Sequence, residues 1–183
     1  MDTNWKQAAD LLKAGKVGVI PTDTIYGLVA SALNERAVER VYSLKGRDFT
    51  KPCIILFSNL KDLGQFNLDP TKVTTAQDYW PGPFSIILPL PRPGLGKWEY
   101  LHRGKASLAF RNPKHSELQK LLERTGPLIA PSANPEGKKP AYNVQSARSY
   151  FGETVDFYVD GGELLGRPSR IISLLDDKPK QLR

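Results

Sequence analysis

A chain of 183 residues, 40% of them hydrophobic and 25% charged, is long enough to bury a core, and we expect one globular domain over residues 1–183. Its one cysteine, Cys53, excludes an internal disulfide and is typical of a reducing compartment, which favours the cytoplasm. The first residues lack the apolar segment of a signal peptide, and no stretch approaches the roughly 18 apolar residues of a membrane span, so we expect neither secretion nor a membrane partner.

The formal net charge of +7 favours anionic partners such as nucleotides or RNA. The basic residues are spread along the chain and form no basic tail. An ordinary solvated basic surface would give the same charge, so charge alone leaves both interpretations open.

The first half of the chain begins with a predicted helix over residues 5–14 and a strand over 16–20. Asn34 is a suitable N-cap for a second helix, and Gly46 is a suitable residue to end it. The helix 34–46 has an apolar stripe that predicts packing against a sheet.

Lys45 and Arg47 lie at the end of this second helix, Lys45 in its last turn and Arg47 just beyond. Both stand outside the apolar stripe and are expected to project into a loop. We therefore expect their replacement by alanine to leave the fold intact. Taken alone, a cation at a helix end is ordinary, because it favours the helix dipole.

The middle of the chain predicts a buried strand over 53–57, a helix over 70–80 and a strand over 84–90. The segment 91–104 is rich in proline and glycine and is predicted to be a long loop. Such loops are often functional, but a mobile surface segment fits this composition equally well.

The remaining elements complete an alternation of strands and helices. Strands are predicted over 107–111, 128–131, 157–159 and 170–174, and helices over 114–124 and 143–151. This alternation indicates an α/β fold: one twisted, open, mixed sheet with helices on its faces.

Several familiar sites are excluded by spacing. Cys53, His102 and His115 are too far apart in sequence to resemble a zinc site. No Gly-x-Ser-x-Gly motif is present, so a Ser-His-Asp hydrolase is not indicated. The segment 94–97 (Gly-Leu-Gly-Lys) lacks the spacing of a Walker motif and is more typical of a turn.

Three polar segments stand where a strand or helix ends, which is where open α/β sheets gather a ligand. They are residues 21–28 (Pro-Thr-Asp-Thr-Ile-Tyr-Gly-Leu), 45–47 (Lys-Gly-Arg) and 131–134 (Pro-Ser-Ala-Asn). Two cations with serine and asparagine hydrogen-bonding groups describe a pocket for a phosphorylated substrate. Each segment is a weak signal by itself, and their joint order is the informative feature.

Together with four further segments, these motifs make the chain resemble the YrdC-like (TsaC) threonylcarbamoyl-AMP synthases over nearly its whole length. The segments in register are 21–28, 45–47, 51–52, 80–83, 107–111, 130–134 and 160–162. The resemblance implies a concave, basic sheet face. It also implies a nucleotidyltransferase reaction in which L-threonine, bicarbonate and ATP give threonylcarbamoyl-AMP and pyrophosphate. That product serves the threonylcarbamoyladenosine modification of tRNA through downstream transfer proteins.

The resemblance also implies the site residues. Lys45 and Arg47 are the catalytic candidates, because they can neutralise the triphosphate and the developing pyrophosphate charge. The implied nucleotide-binding set is Lys45, Arg47, Ser132, Asn134, Tyr142 and Arg183. The implied threonine-binding set is Thr22, Arg111, Ser132 and Ser169. Lys51 and Tyr26 are further candidates, and a solvated loop lysine is an equally good interpretation of Lys51. Mg²⁺ is expected with ATP, held mainly by its phosphates and not by a protein metal site.

Three departures from the family pattern bear on substrate choice. Pro135 follows the Ser-x-Asn motif, Tyr142 replaces a small hydroxyl residue, and Arg170 follows Ser169 where a threonine is usual. Since side chains alternate along a strand, Arg170 is expected to point away from a ligand that Ser169 faces. A bend at Pro168 would instead bring the Arg170 guanidinium into the pocket.

Two other functions remain compatible with the sequence. The chain could be a paralogue in the same superfamily that adenylates a carbamate from another donor. It could also be a non-catalytic protein that binds double-stranded RNA on the same basic concavity, and direct contact with tRNA fits the charge as well. Salt-sensitive RNA affinity without ATP turnover would favour RNA binding alone.

Overall fold

The structure, a computed structural model, describes residues 1–176 and 178–183. Its strands form one mixed, open sheet in the order β7-β1-β2-β6-β3-β5-β4-β8-β9. The strands are β1 Gly18–Ile20, β2 Gly27–Ser31, β3 Ile54–Leu56, β4 Phe84–Pro89, β5 Ser107–Arg111, β6 Leu128–Ile129, β7 Phe157–Tyr158, β8 Arg170–Ser173 and β9 Lys180–Gln181. The predicted α/β class with a mixed open sheet is confirmed.

The helices connect these strands. They are α1 Trp5–Lys13, α2 Glu35–Lys45, α3 Pro70–Gln77, α4 Arg92–Leu95, α5 Glu99–His102, α6 Ser116–Thr125 and α7 Val144–Phe151, with a 3₁₀ helix at Leu60–Phe66. Asparagine side chains begin three of them: Asn4, Asn34 and Asn143 each accept a hydrogen bond from a backbone N–H in the first turn. Gly46 ends α2 in the left-handed conformation, as predicted.

The core has two layers, one on each face of the sheet. On one face, α1 and α6 pack together and bury Ala8, Leu12, Leu118 and Leu122. On the other face, α2 buries Val38 and other residues of its apolar stripe against the sheet. Helices therefore cover both faces, and polar side chains gather where strands end.

The structure differs from the predicted elements in five places, the first being the 3₁₀ helix Leu60–Phe66, which was not predicted. Residues 27–31, predicted only as part of a motif, form β2, and Lys180–Gln181 form the short edge strand β9. The predicted loop 91–104 contains the short helices α4 and α5. The helix predicted over 70–80 stops at Gln77. β2 and β9 form because they pair with neighbouring strands, and such pairing leaves little local pattern in the sequence of a short segment.

Within the described ranges, no helix combines the length and the apolar character needed to cross a lipid bilayer.

Candidate functional site

One cavity of about 540 Å³ opens on the sheet and collects side chains from distant parts of the chain. Its polar lining residues are Thr22, Thr24, Tyr26, Arg47, Lys105, Ser107, Arg111, Ser132, Ser169, Ser173 and Arg183. Among the described lining residues four are basic and none is aspartate or glutamate. The cavity is therefore suited to an anion with several charges.

Arg111 lies at the inner end of the cavity and is only 5% exposed. Its Nη1 donates to Thr24 Oγ1 (3.0 Å) and its Nη2 to Thr22 Oγ1 (3.2 Å). Nη2 also lies 3.1 Å from Asp23 Oδ1, so the charge has a buried partner. Burial lowers the pKa of Arg111, Asp23 opposes this effect, and the nearby Arg183 adds to it.

Not all of the five N–H groups of Arg111 have a partner in the described part of the chain. Its Nε is buried and has no hydrogen-bond acceptor in the described part of the chain. A buried donor without a partner is costly unless a water or ligand satisfies it. Because Arg111 lines the cavity, this N–H is suited to an oxygen of a bound ligand.

The Thr22 hydroxyl braces the loop that carries it. Thr22 Oγ1 donates to the carbonyl of Ile25 (2.7 Å) and accepts from the backbone N–H of Thr24 (3.1 Å). This local turn fixes the β1–β2 connection against Arg111. The predicted pair of Thr22 and Arg111 is thus brought together.

Ser169 and Arg183 form the opposite wall. Ser169 is buried, and its hydroxyl lies 2.9 Å from Ser85 Oγ. The carbonyl of Ser169 accepts from Arg183 Nε (3.1 Å) and Nη2 (3.0 Å). Desolvation lowers the pKa of Arg183. Both predicted residues line the cavity, where β8 pairs with β9.

Arg170 points away from the cavity, as strand alternation predicts. The cavity is lined by Ser169, Ile171 and Ser173, the alternate residues of this segment. Arg170 is exposed, and its guanidinium carbon lies 5.6 Å from the ring centroid of Phe84. The alternative in which a bend at residue 168 turns the guanidinium inward is therefore wrong.

Lys45 is buried, contrary to the expectation that it projects from its helix end. It is 3% exposed and lies outside the cavity lining. Its Nζ donates to Ser132 O (2.7 Å), Asn134 O (2.6 Å) and Asn134 Oδ1 (3.1 Å). Burial and the nearby Arg47 lower the pKa of Lys45 to about 8. The three oxygen acceptors around Nζ match the three donors of an ammonium. The premise that Lys45 projects from its helix end is therefore wrong, and the fold of an alanine variant at this position stays a prediction.

The Ser-x-Asn motif divides into two structural roles. Ser132 lines the cavity. Asn134 is buried outside the lining, and its Nδ2 donates to the carbonyls of Pro135 (3.0 Å) and Lys138 (2.6 Å). Lys45 and Asn134 therefore hold the loop that presents Ser132.

Arg47 lines the cavity and is held by its own loop. Its Nε donates to Lys51 O (2.9 Å) and its Nη2 to Pro52 O (3.0 Å). These two bonds leave other guanidinium N–H groups for a ligand.

The other two candidates in this region lie outside the cavity lining. Lys51 is exposed and forms an ion pair with Glu136 Oε1 at 2.5 Å. Tyr142 is 50% exposed.

Tyr26 lines the cavity and connects it to the loop after β7. Its hydroxyl accepts from Gly161 N (2.8 Å) and donates to Gly162 O (2.8 Å). Burial raises the pKa of Tyr26. The same loop approaches the Thr24 backbone so closely that a Cβ on Gly166 would lie 2.2 Å from Thr24 O. Glycine is needed at this crossing.

Lys105 is the cavity cation that sequence reasoning missed. Alternation along β5 links Arg111 to Ser107, which also lines the cavity, but the strand begins at Ser107. The left-handed backbone of Ala106 interrupts the alternation before Lys105, so no local pattern marks this lysine.

The chain is an α/β protein whose mixed sheet carries a basic cavity at its strand ends, and such a cavity suits a multiply charged anion. Sequence comparison agrees with a particular family: the model Sua5_yciO_yrdC, described as "Telomere recombination", matches residues 10–183. The chain belongs to this Sua5/YciO/YrdC family.

Named relatives align with nearly the whole of this chain. The chain is 35% identical to the threonylcarbamoyl-AMP synthase of Pyrococcus abyssi, covering 98% of this chain and 54% of that protein. It is also 35% identical to the threonylcarbamoyl-AMP synthase of Marinobacter nauticus, covering 92% and 90% respectively. The chain thus spans about half the length of the first relative and most of the second.

A solved structure of P. abyssi Sua5 complexed with L-threonine has the same fold as this chain, with a TM-score of 0.86 and 32% sequence identity. The match covers 98% of this chain and 53% of that one. The E. coli YciO structure, at 23% identity and a TM-score of 0.84, supports the fold alone.

Proposed function

We propose that this chain is a threonylcarbamoyl-AMP synthase, which converts L-threonine, bicarbonate and ATP to threonylcarbamoyl-AMP and pyrophosphate. One observation supports this most strongly. A single cavity joins a buried arginine flanked by threonine hydroxyls to several further cations and contains no carboxylate among its described lining residues. Such a cavity suits an amino acid and a triphosphate held side by side. The names of the relatives agree with this activity.

The chemistry requires no nucleophile from the protein. The threonine amine and bicarbonate form a carbamate with loss of water. A carbamate oxygen then attacks the α-phosphate, and the bond from that phosphorus to the bridging oxygen breaks as pyrophosphate leaves. The protein has to align the two substrates and compensate the charge that grows on the leaving group.

The threonine side of the cavity is assigned to Thr22, Arg111, Ser132 and Ser169. Arg111 is suited to the amino-acid carboxylate, because it lines the cavity and keeps a guanidinium N–H without an acceptor in the described part of the chain. The hydroxyls of Ser132 and Ser169 are close enough to the cavity to accept or donate to threonine.

The nucleotide side is assigned to Arg47, Ser132 and Arg183, which line the cavity. Lys45 and Asn134 act as positioning residues, because their polar groups are used to hold the Ser132 loop. Tyr26 positions the loop after β7 in the same way. Tyr142 stays a prediction for nucleotide contact, and Lys51 is assigned to its ion pair with Glu136.

The described lining of the cavity offers no carboxylate to a Mg²⁺ ion, so an ion that arrives with ATP would depend on the nucleotide for its ligands. No cluster of three or more His, Cys, Asp or Glu side chains is found in residues 1–176 and 178–183. Nucleotide phosphates would then supply the oxygen ligands and the ion would offset part of their charge, as in other phosphoryl-transfer sites.

The product is an activated carbamoyl group that a tRNA-modifying transfer protein would consume, and the single-cysteine composition favours the cytoplasm for this step. We also assign residues 1–183 to one functional domain, since the described strands form one sheet and the cavity is lined by its strands and the loops that connect them. Direct contact with tRNA or double-stranded RNA is not required by this proposal.

Pyrophosphate release is expected to require threonine and bicarbonate together, because neither alone provides the attacking carbamate. The measurement is pyrophosphate formed by the purified protein from ATP with each substrate omitted in turn. Serine in place of threonine should cost only about 1–3 kcal/mol, the range for one missing methyl contact. Equal release with ATP alone would contradict the reaction. Salt-sensitive RNA binding without any release would favour a non-catalytic RNA-binding protein.

Arg170→Thr is expected to change the Michaelis constant for threonine by less than about twofold, because the Arg170 side chain lies outside the cavity lining. Surface substitutions of this kind usually fall within about 0.5 kcal/mol. The Michaelis constant for threonine is measured from initial rates at saturating ATP. A tenfold increase with ATP affinity unchanged would show that this arginine holds the amino acid.

A further inference from the structure

The segment before β5 ends in an unusual turn, residues 103–106. Arg103 (φ 52°), Gly104 (φ 78°) and Ala106 (φ 50°) all have positive φ. Arginine and alanine rarely adopt this conformation, which is maintained only where surrounding contacts impose it. Strained backbone of this kind concentrates at ligand sites, which makes the turn 103–106 a candidate part of one.

His102 holds the turn from inside. It is 6% exposed, its Nδ1 accepts from Gly104 N (3.0 Å), and its Nε2 lies 2.8 Å from Leu95 O. The carbonyl of His102 accepts from Lys105 N at 2.8 Å. These bonds match a neutral histidine with its proton on Nε2.

Arg103 holds the turn from the side of α2. Its Nη2 lies 2.7 Å from Glu39 Oε1, and its guanidinium carbon lies 4.0 Å from the ring centroid of Tyr42. Leu90 N donates to Ala106 O at 2.9 Å on the other side. The turn is therefore fixed at both ends, and it places Lys105 at the cavity.

Lys105 differs from the other three cations of the cavity. Arg111 is paired with Asp23, Arg183 is bonded to Ser169 O, and Arg47 is bonded to two carbonyls of its loop. Lys105 is exposed, and no hydrogen bond or ion pair of its ammonium is found within residues 1–176 and 178–183. A rigid backbone thus presents a cation that is available to a ligand.

The register of the sheet places Lys105 at the end of the cavity where Arg47 is bonded. Parallel pairing sets Ile54 opposite Ala109, and extending this register by two residues brings Pro52 level with Ser107. Pro52 O is the acceptor for Arg47 Nη2. Within β5, Ser107 and Arg111 are four residues apart, about 13 Å at about 3.3 Å per residue, and Lys105 lies in the turn that precedes Ser107.

The geometry points to Lys105 as a binding residue for the terminal phosphates of the nucleoside triphosphate and for the pyrophosphate that leaves. This assignment rests on the proposed function for the reaction, but phosphate binding can be measured without turnover. Arg47 and Lys105 together would hold the diphosphate at one end, while Arg111 and Thr22 hold the amino acid at the other. An ammonium is suited to this place, because it acts as a point charge on a mobile group.

The test compares Lys105→Ala and Lys105→Arg with Lys97→Ala, which removes a lysine from the same segment outside the cavity lining. Binding of pyrophosphate and of AMP is measured by calorimetry, and Michaelis constants for ATP and threonine by initial rates. In Lys105→Ala we expect pyrophosphate affinity to fall, and the Michaelis constant for ATP to rise, by about tenfold or more. AMP affinity and the threonine Michaelis constant should stay within about twofold. Lys105→Arg should recover most of the loss, and Lys97→Ala should match the wild type.

Wild-type pyrophosphate affinity in Lys105→Ala would overturn the assignment. Equal losses for pyrophosphate, AMP and threonine would also overturn it, because they would indicate a structural role. The proposed reaction fails by a different result, namely no threonine-dependent pyrophosphate release from the wild type. In that case a selective loss of pyrophosphate binding in Lys105→Ala would still support the phosphate site.

Discussion

Replacing Arg47 with alanine is expected to raise the barrier to turnover by about 2–4 kcal/mol, a loss of about 30- to 1000-fold. The guanidinium lines the cavity and is fixed by the carbonyls of Lys51 and Pro52, so it needs little reorganisation when charge develops. A preorganised cation stabilises a leaving pyrophosphate more than it stabilises bound ATP. The measurement is kcat for pyrophosphate release at saturating substrates.

Two matched variants show whether the loss comes from this guanidinium. Arg36→Ala removes an exposed arginine from the first turn of α2 and should keep the wild-type rate. Arg47→Lys keeps the charge but not the planar fork, so we expect an intermediate rate. If folded Arg47→Ala turns over at nearly the wild-type rate, Arg47 does not compensate the phosphate charge.

Replacing Lys45 with methionine is expected to lower the free energy of unfolding by about 2–4 kcal/mol. The change removes the buried donor of Asn134 O and Asn134 Oδ1. Ser132 O also loses the ammonium but keeps the N–H of Asn134 as a donor at 2.9 Å. Each buried acceptor that loses its partner costs about 1–3 kcal/mol before the loop relaxes. Urea unfolding followed by circular dichroism measures the change.

Lys13→Met is the matched control for Lys45. Lys13 is also the basic residue in the last turn of its helix, but it is exposed. Both changes remove the same favourable interaction with a helix dipole, so their difference isolates the buried contacts. Equal stability of the two variants would show that the Lys45 ammonium does not hold the loop of residues 132–134.

Local chemistry explains why much of the fold was predictable. Asparagine N-caps and the left-handed Gly46 set helix ends through contacts within a few residues. The outward direction of Arg170 follows in the same way from alternation along one strand. Because these features depend on residues that are neighbours in sequence, they can be predicted from the sequence alone.

The burial of Lys45 could not be predicted in this way. Its acceptors belong to residues 132 and 134, which are 87 and 89 positions further along the chain. A lysine in a last helical turn has the same local sequence whether it meets solvent or a returning loop. The strand β2 was missed for a related reason, because its pairing with β1 and β6 defines it.

The candidate site was partly predictable for a third reason. Its motifs mark strand and helix ends, and the structure brings Thr22, Arg111, Ser132, Ser169 and Arg183 to one cavity. Which of the motif cations contact a ligand depends on tertiary packing. Lys45 is enclosed by such packing, whereas Lys105 is exposed at the cavity by a strained turn.

The central claim is that one cavity makes threonylcarbamoyl-AMP, a single molecule that contains threonine, AMP and a carbamoyl carbon from bicarbonate. Incubating the purified protein with ATP, ¹³C-bicarbonate and ¹⁵N-threonine, followed by rapid mass spectrometry, measures this directly. The account predicts an adenylate that carries both labels and forms in equal amount with pyrophosphate. An adenylate that lacks either label, or pyrophosphate released without any labelled adenylate, would contradict it.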